Sequence, residues 1–396
     1  MSCPAGEVGV SRRVSLVRPA SFDYYPKHER HRAAEVPVTM TLHPWLDDPA
    51  AVLVSRTPVP ANPTAEDFER AARTALEAME LEIDDERVVV KPNVTSGEMF
   101  ADPDSGITTH PRFVKGMLDY LLDHGAPADR TTIVEDPRDT DDDEPRHWRG
   151  TGYLEVVEST GVGLRFPTTA SCVSRPVPDP LVFANLAVDR EATDSETVLI
   201  NVPKLKTHNL AITTLSMKNL MGIVYTPDRH YCRQAWLEIP EGERAGSATS
   251  EATSEAAAPD APFDTRLHER WQTGLARRLA DTAKVSAPRL NVVEGVVGRD
   301  GTGFRNGANY ALGLVVAGVN VVAVDTVASY LMGFDPASLV YLRVAADAGV
   351  GTNDMDALRV FEVDDGRLVR CDDPARLRGE PFRVVSRLPS AGTAWL

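Results

Sequence analysis

The chain has 396 residues, of which 42% are hydrophobic and 25% charged, and its formal net charge is −16. That length suffices for two lobes with a sizeable core. The acidic balance argues against nucleic acid as the main partner, because phosphate recognition needs basic patches.

Residues 1–50 show weak periodicity and many Pro, Arg and His residues, and read as an N-terminal extension. From Ala51 the pattern changes: AVLVSR reads as a strand. Thr64 then caps a helix with Asp67 three residues on and Phe68, Ala71, Ala72, Leu76 and Met79 at helical spacing. RVVVKPN is a short apolar strand ending at Lys91-Pro92-Asn93. Pro111 opens a helix striped by Phe113, Met117, Leu118, Leu121 and Leu122, which Gly125 ends. TTIVED is the next strand and closes on Glu135 and Asp136. The run DTDDDE after it reads as a solvated loop. GYLEVVESTG is a short helix, TVLINVPKLKTH a strand, and TTLSMKNLMG a helix.

Residues 240–264 are low-complexity Ala, Ser, Glu and Pro, read as a surface insertion. RLHERWQTGLARRLADTAK has Leu267, Trp271, Leu275 and Leu279 on one helical face. RLNVVEGVVGRDGTG and LGLVVAG are strands, VVAVDTVASYLMGF a helix stopped by Gly333, and 336–348 a last helix. Asp365-Gly366 separates two alternating runs, the signature of a β-hairpin. The predicted fold is α/β, with a mostly parallel sheet flanked by helices, two lobes and a C-terminal hairpin. The domain plan is an extension (1–50), an α/β domain (51–364) carrying the insertion, and a tail (365–396).

No apolar run reaches the ~20 residues of a membrane helix. The start, MSCPAGEVGVSRR, has no apolar signal region, so the expectation is a cytoplasmic protein with no membrane partner. The four cysteines, Cys3, Cys172, Cys232 and Cys371, are scattered without a CxxC pair. They read as free thiols, with no intrinsic iron–sulfur cluster expected. No P-loop, nucleophile-elbow serine or HExxH motif is present, and GRDGTG is followed by a strand-like run rather than a phosphate-binding helix.

Ligands in open parallel sheets bind beyond the carboxyl ends of the strands. Four polar motifs follow apolar strands here. If those strands are parallel, Lys91, Asn93, Glu135, Asp136, Lys204, Lys206, His208 and Asp300 approach one edge. Only seven of the 42 basic residues are lysines, and Lys91, Lys204, Lys206 and Lys218 fall in two short motifs. Such placement favours sites that require an amine, since lysine is a compact charge whose proton can be displaced on burial. Lys204, Lys206 and His208 alternate along an extended segment and can face one side, where two ammoniums beside an imidazole make an anion site. A lysine so poised can act as a base or form a Schiff base. Each feature also has a plainer reading, as a turn, cap or surface ion pair. Thr109 and His110 precede a helix, where an anion could sit or a threonine simply cap. Glu135 and Asp136 would suit a divalent cation. Lys218, Asn219, Arg229 and His230 complete the substrate-contacting candidates.

The segments VVVKPNVTSG, GITTHPRFVKGMLDYL, LINVPKLKTH, TTLSMKNLMGIV, VVEGVVGRDGTGFRNG and LGLVVAGVNVVAVDTVASYLMGFDP, in that order, resemble the DUF362 family over roughly Ala51 to Asp364. The resemblance implies the fold and the position of the site. Many relatives look like this domain joined to a ferredoxin-type module; this chain has no CxxCxxC, so it resembles a stand-alone form. The functional expectation is an enzyme acting on a small anionic or carbonyl-bearing metabolite by Lys/His acid–base chemistry, isomerase or lyase in type, in specialised biosynthesis. The alternatives are a redox or cofactor-handling accessory and a non-catalytic binding protein.

Overall fold

The computed structural model describes residues 40–95, 102–138, 145–225, 229–244, 265–303 and 306–384. Most of the predicted extension, the run 139–144, residues 245–264 of the insertion and the last twelve residues lie outside these.

A short strand, β1 (Met40–Thr41), precedes β2 (Ala51–Arg56). Thr64 opens α1 (Ala65–Ala78) with the predicted capping box, the Asp67 carboxylate accepting from the Thr64 backbone at 2.8 Å. β3 (Glu82–Ile83) pairs with β1, and β4 (Arg87–Pro92) leads to α2 (Pro111–Asp123). Then come β5 (Thr131–Val134), α3 (Tyr153–Thr160) and β6 (Gly163–Arg165). An antiparallel ribbon, β7 (Cys172–Pro176) and β8 (Asn185–Asp189), interrupts the alternation and has no counterpart among the predicted elements. The predicted strand over TVLINVPKLKTH is two strands, β9 (Thr197–Val202) and β10 (Lys204–His208), broken at Pro203, which has no N–H for a ladder. The helix expected over TTLSMKNLMG begins as a strand, β11 (Ile212–Thr214). Only then does it become the single turn α4 (Ser216–Asn219) and a 3₁₀ turn. The chain continues through α5 (Tyr231–Leu237), α6 (Glu241–Arg244), α7 (Thr265–Ser286), β12 (Leu290–Arg299), β13 (Asn309–Gly318), α8 (Val321–Leu331) and α9 (Val340–Asp347). It reaches the predicted hairpin of β14 (Arg359–Asp364) and β15 (Arg367–Arg370). Asp365 and Gly366 at its tip both take positive φ, as a two-residue turn of this type requires.

The main sheet has the order β15-β14-β2-β13-β12-β9-β4-β5-β6, with β10 added along β12 and β11 along β10. All pairs from β12 to β6 are parallel, as are β14–β2 and β10–β12; β13, β15 and β11 run against their neighbours. The strands β4, β5, β9, β10 and β12 therefore end at one edge.

Alternation divides the core. Val52 and Val54 of β2 join the cluster under α7, α8 and α9, whereas Ala51 and Leu53 join the one under α1, α2 and α3. Val89 likewise faces one way and Val88 and Val90 the other. The two lobes expected from length are thus two layers on one sheet, within a unit running from Val36 to Leu396. Among the described residues no helix is long and apolar enough to cross a membrane.

Candidate functional site

The carboxyl ends of β4, β5 and β9 and the strand β10 gather the lysine motifs as the parallel arrangement predicts, but the structure gives each lysine a different environment. Lys91 is fully buried. Its ammonium donates to Glu135 Oε2 at 2.7 Å, to the Pro92 carbonyl at 2.7 Å and to Asn219 Oδ1 at 3.2 Å. Glu135 in turn accepts from the backbone N–H groups of Val94 and Asp136. Burial lowers the Lys91 pKa from its ordinary value, and Glu135 opposes that shift. Gly222 lets the turn after α4 press against this pair: a β-carbon there would overlap Glu135 Oε1 and come within 2.5 Å of Lys91 Cε.

Lys204 forms a second buried pair, with Glu294 Oε2 at 2.5 Å. The two residues are directly opposite across β10 and β12, and the register slips immediately afterwards, between Lys204 and Lys206. Glu294 also accepts from the His110 backbone N–H at 3.3 Å. The Lys204 pKa is lowered by burial, against the pull of Glu294.

Lys206 is held differently. Its buried ammonium donates to two neutral oxygens, Asn93 Oδ1 at 2.9 Å and the Ile107 carbonyl at 2.7 Å. Burial moves its pKa well below the ordinary lysine value, and Lys218, Lys204 and Arg299 push it the same way; Glu135 opposes. The glycine-rich turn packs here: Thr207 Oγ1 donates to the Gly301 carbonyl at 2.8 Å. Gly303, at positive φ, approaches the Thr207 carbonyl too closely for any β-carbon.

His208 Nδ1 accepts the backbone N–H groups of Leu210 at 3.0 Å and Ala211 at 3.2 Å. That acceptance assigns the ring proton to Nε2. Burial, then Lys218 and Lys206, hold the His208 pKa well below its ordinary value. The neutral ring so arranged carries its proton on Nε2.

Further candidates prove to be supports. Thr109 Oγ1 donates to the Val202 carbonyl and accepts from Asn93 N, tying the ends of β4 and β9 together. His110, rather than a threonine, caps α2: its Nδ1 accepts from Arg112 N while its ring stacks on Phe68 at 3.8 Å. The His110 ring and carbonyl accept from Arg112, Phe113 and Val114 N at the start of that helix. Asn219 donates to the Lys91 carbonyl and to Asn201 Oδ1; Asn201 continues to Asn291, making a buried amide chain under the site.

The suggested cation ligands do not converge. Glu135 is engaged by Lys91, while Asp136 accepts from Arg138 Nε at 2.7 Å and pairs with Arg229 at 2.8 Å. Among the described residues no group of three or more His, Cys, Asp or Glu could hold a metal ion. Arg229 also donates to the carbonyls of Asp136 and Arg138 and so clamps this loop. His230 is exposed at the start of α5. Asp300 reaches the expected edge but is held by Arg383, Tyr310 and the Ala308 N–H.

Lys206 forms a group with Lys218, Arg299 and His208 at the edge, in which Arg299 also donates to the Ser105 carbonyl and Asn309 Oδ1. Lys218 and Asn93 are half-buried and mark its outward side. Three described cavities, of about 620, 370 and 350 Å³, lie elsewhere and share no lining residue with it. Two residues that shape the site escaped the sequence reading. Glu294 is one, and the other is Asp325 on α8, whose carboxylate accepts the Ser216 and Met217 N–H groups at the start of α4 and so fixes the helix that carries Lys218. Each is a lone acid inside an apolar run, NVVEGVV and VVAVDTV, which is the signal that could have exposed it.

Comparison with known proteins agrees with the motifs. The chain is 26% identical over 292 residues to a thylakoid-associated protein of Synechocystis, covering 73% of this chain and 75% of that one. A solved structure from Thermotoga maritima aligns over 74% of this chain with 11% identity and a TM-score of 0.39; the chain spans 61% of that protein's length. Residues 88–330 match the family model described as a domain of unknown function, DUF362, and so contain every lysine discussed above. On this match the chain belongs to the DUF362 family.

Proposed function

We propose that the chain is an enzyme acting on a small anionic, carbonyl-bearing metabolite through amine acid–base chemistry, isomerase or lyase in type. The observation that carries this reading is Lys206. It is buried beside Lys204, Lys218 and Arg299 at the carboxyl edge of the sheet, and bonded to two neutral oxygens. Cations at this edge suit a carboxylate or phosphate. A lysine whose proton is displaced by burial and like charges serves as a base near neutral pH. In this reading Lys218 and Arg299 meet the anion, Lys206 moves the proton, and His208 donates from Nε2 to oxygen that gains charge. Lys91 and Lys204, each committed to a buried carboxylate, support the site. The net charge of −16 favours a small-molecule partner over nucleic acid, and the proposed setting is cytoplasmic and biosynthetic. The thylakoid association of the Synechocystis relative favours the second reading, an accessory protein serving a membrane-associated assembly.

Thermal unfolding of the full chain tests the first reading, with small carboxylates and phosphates compared against neutral isosteres. Stabilisation by the anions, lost in Lys218→Met and weakened in Lys206→Met, is expected. Equal stabilisation of wild type and both variants would sink it.

A further inference from the structure

We propose that the cavity of about 620 Å³ at the amino end of β12 is a binding site for a zwitterion with an apolar tail, an α-amino acid with a hydrocarbon or aromatic side chain. It is independent of the anion reading at the lysine edge.

The place of the cavity separates it from that edge. Arg289 lines it and directly precedes β12, its N–H donating to the Leu199 carbonyl of β9. Arg299 ends the same strand, among the lysines. β12 is ten residues long, which at about 3.3 Å per residue puts roughly 30 Å between the two arginines. The end of α7, the β7–β8 loop, the start of α8 and the segment after α9 close the walls. Ala287, which carries the chain from α7 towards Arg289, holds a φ of 37°. Non-glycine residues rarely adopt that backbone, and it recurs at ligand clamps.

The lining combines two chemistries. Ala283, Val319, Val321 and Val350 give an apolar wall. The charged side chains are two of each sign, Lys284 and Arg289 against Asp47 and Asp179. Lys284 is already engaged, its ammonium donating to the Asp179 carbonyl at 2.7 Å. The Asn320 amide is engaged as well, accepting from the Val322 and Ala323 N–H groups and donating to the Val350 carbonyl. The Arg289 guanidinium and the Asp47 and Asp179 carboxylates make no ion pair or side-chain hydrogen bond among the described residues, although they line one cavity.

A plain anion would suit Arg289 but face two carboxylates, and a plain cation would meet the reverse. A zwitterion answers both signs. Its carboxylate pairs with the guanidinium through two parallel hydrogen bonds, and its ammonium donates to Asp47 or Asp179. The side chain then lies on the apolar wall. The volume falls within the range of small-molecule sites, about 300–1,000 Å³.

Calorimetric unfolding of the full chain at pH 7 tests this with three probes that share one hydrocarbon tail. These are L-leucine, 4-methylpentanoate, which lacks the ammonium, and 3-methylbutylamine, which lacks the carboxylate. L-Phenylalanine is run beside them. Either amino acid should raise the unfolding temperature, and neither truncated probe should match L-leucine. Arg289→Gln, and Asp47→Asn combined with Asp179→Asn, break no side-chain contact, so each should unfold at the wild-type temperature without ligand. Each should weaken amino-acid binding by about tenfold or more, the loss of charge-assisted hydrogen bonds. Lys206→Met, at the other end of the sheet, should keep the full response. No response to either amino acid would overturn the proposal. Equal stabilisation by 4-methylpentanoate would also overturn it, by assigning a plain anion site. A response lost in Lys206→Met and kept in Arg289→Gln would move the binding to the lysine edge and overturn it as well.

Discussion

Lys91 and Lys206 end neighbouring motifs at the same sheet edge, are equally buried, and share the neighbour Glu135, yet they are built for different work. Lys91 touches that carboxylate at 2.7 Å, and the resulting pair holds the β4 and β5 ends together under α4. Lys206 is bonded to an amide and a carbonyl, and Glu135 opposes the lowering of its pKa by burial and the nearby cations. The difference teaches that burial alone does not mark a chemical lysine. The bonds described for each differ: Lys91 meets a carboxylate at contact distance, whereas Lys206 donates to an amide and a carbonyl with three cations beside it.

The widest separation should appear when the committed lysines are truncated. Lys91→Met or Lys204→Met leaves Glu135 or Glu294 buried without its counter-charge, which should cost about 3–5 kcal/mol. Thermal or denaturant unfolding would read this as a large loss in both variants; a loss below about 1 kcal/mol would place these lysines on the chemical side of the comparison. A smaller effect comes from crowding the pair. Gly222→Ala must move either Glu135 or the turn after α4 and should cost about 1–3 kcal/mol. An unchanged unfolding temperature would show that the turn does not press on Lys91.

Asp325 sharpens the comparison through pH. Burial raises its carboxyl from 3.8 to about 7, against the two N–H bonds it accepts from α4. The folded state therefore holds a proton that the unfolded chain releases. This contribution is fully present below pH 4 and is lost as pH rises towards 7, by at most about 1.4 kcal/mol per pH unit. Asp325→Asn should remove that slope between pH 4 and 7, measured by calorimetry across the range. If α4 positions Lys218, the variant should also weaken anion-induced stabilisation; an unaltered pH profile would remove Asp325 from the account.

Much of this was legible in the sequence. Apolar runs ending in Lys-Pro-Asn, Glu-Asp and Lys-Leu-Lys-Thr-His announce parallel strands and place their polar ends at one edge, because a strand's direction is fixed by the helices that connect it. Asp365-Gly366 announces its hairpin with equal clarity. The pairings were not legible. Lys204 finds Glu294 across 90 residues, and Ser216 finds Asp325 across 109, so no local spacing carries them. The His208 tautomer depends on the backbone of residues 210 and 211 turning back on the ring, which an extended reading of KLKTH does not contain. The capping role of His110 was hidden for a similar reason: threonine is the usual cap, and Thr109 is drawn off to bridge two strands.

The most direct test is to unfold Lys91→Met, Lys204→Met and Lys206→Met side by side, with and without glycolate. The first two should lose several kcal/mol, on the order of 3–5. Lys206→Met should lose about 1–3 kcal/mol, the cost of leaving Asn93 Oδ1 and the Ile107 carbonyl without their donor, and should respond to glycolate less than the other two do, independently of stability. A Lys206→Met protein as destabilised as the other two, or one that glycolate stabilises as strongly as it does them, would contradict the division of labour among these lysines.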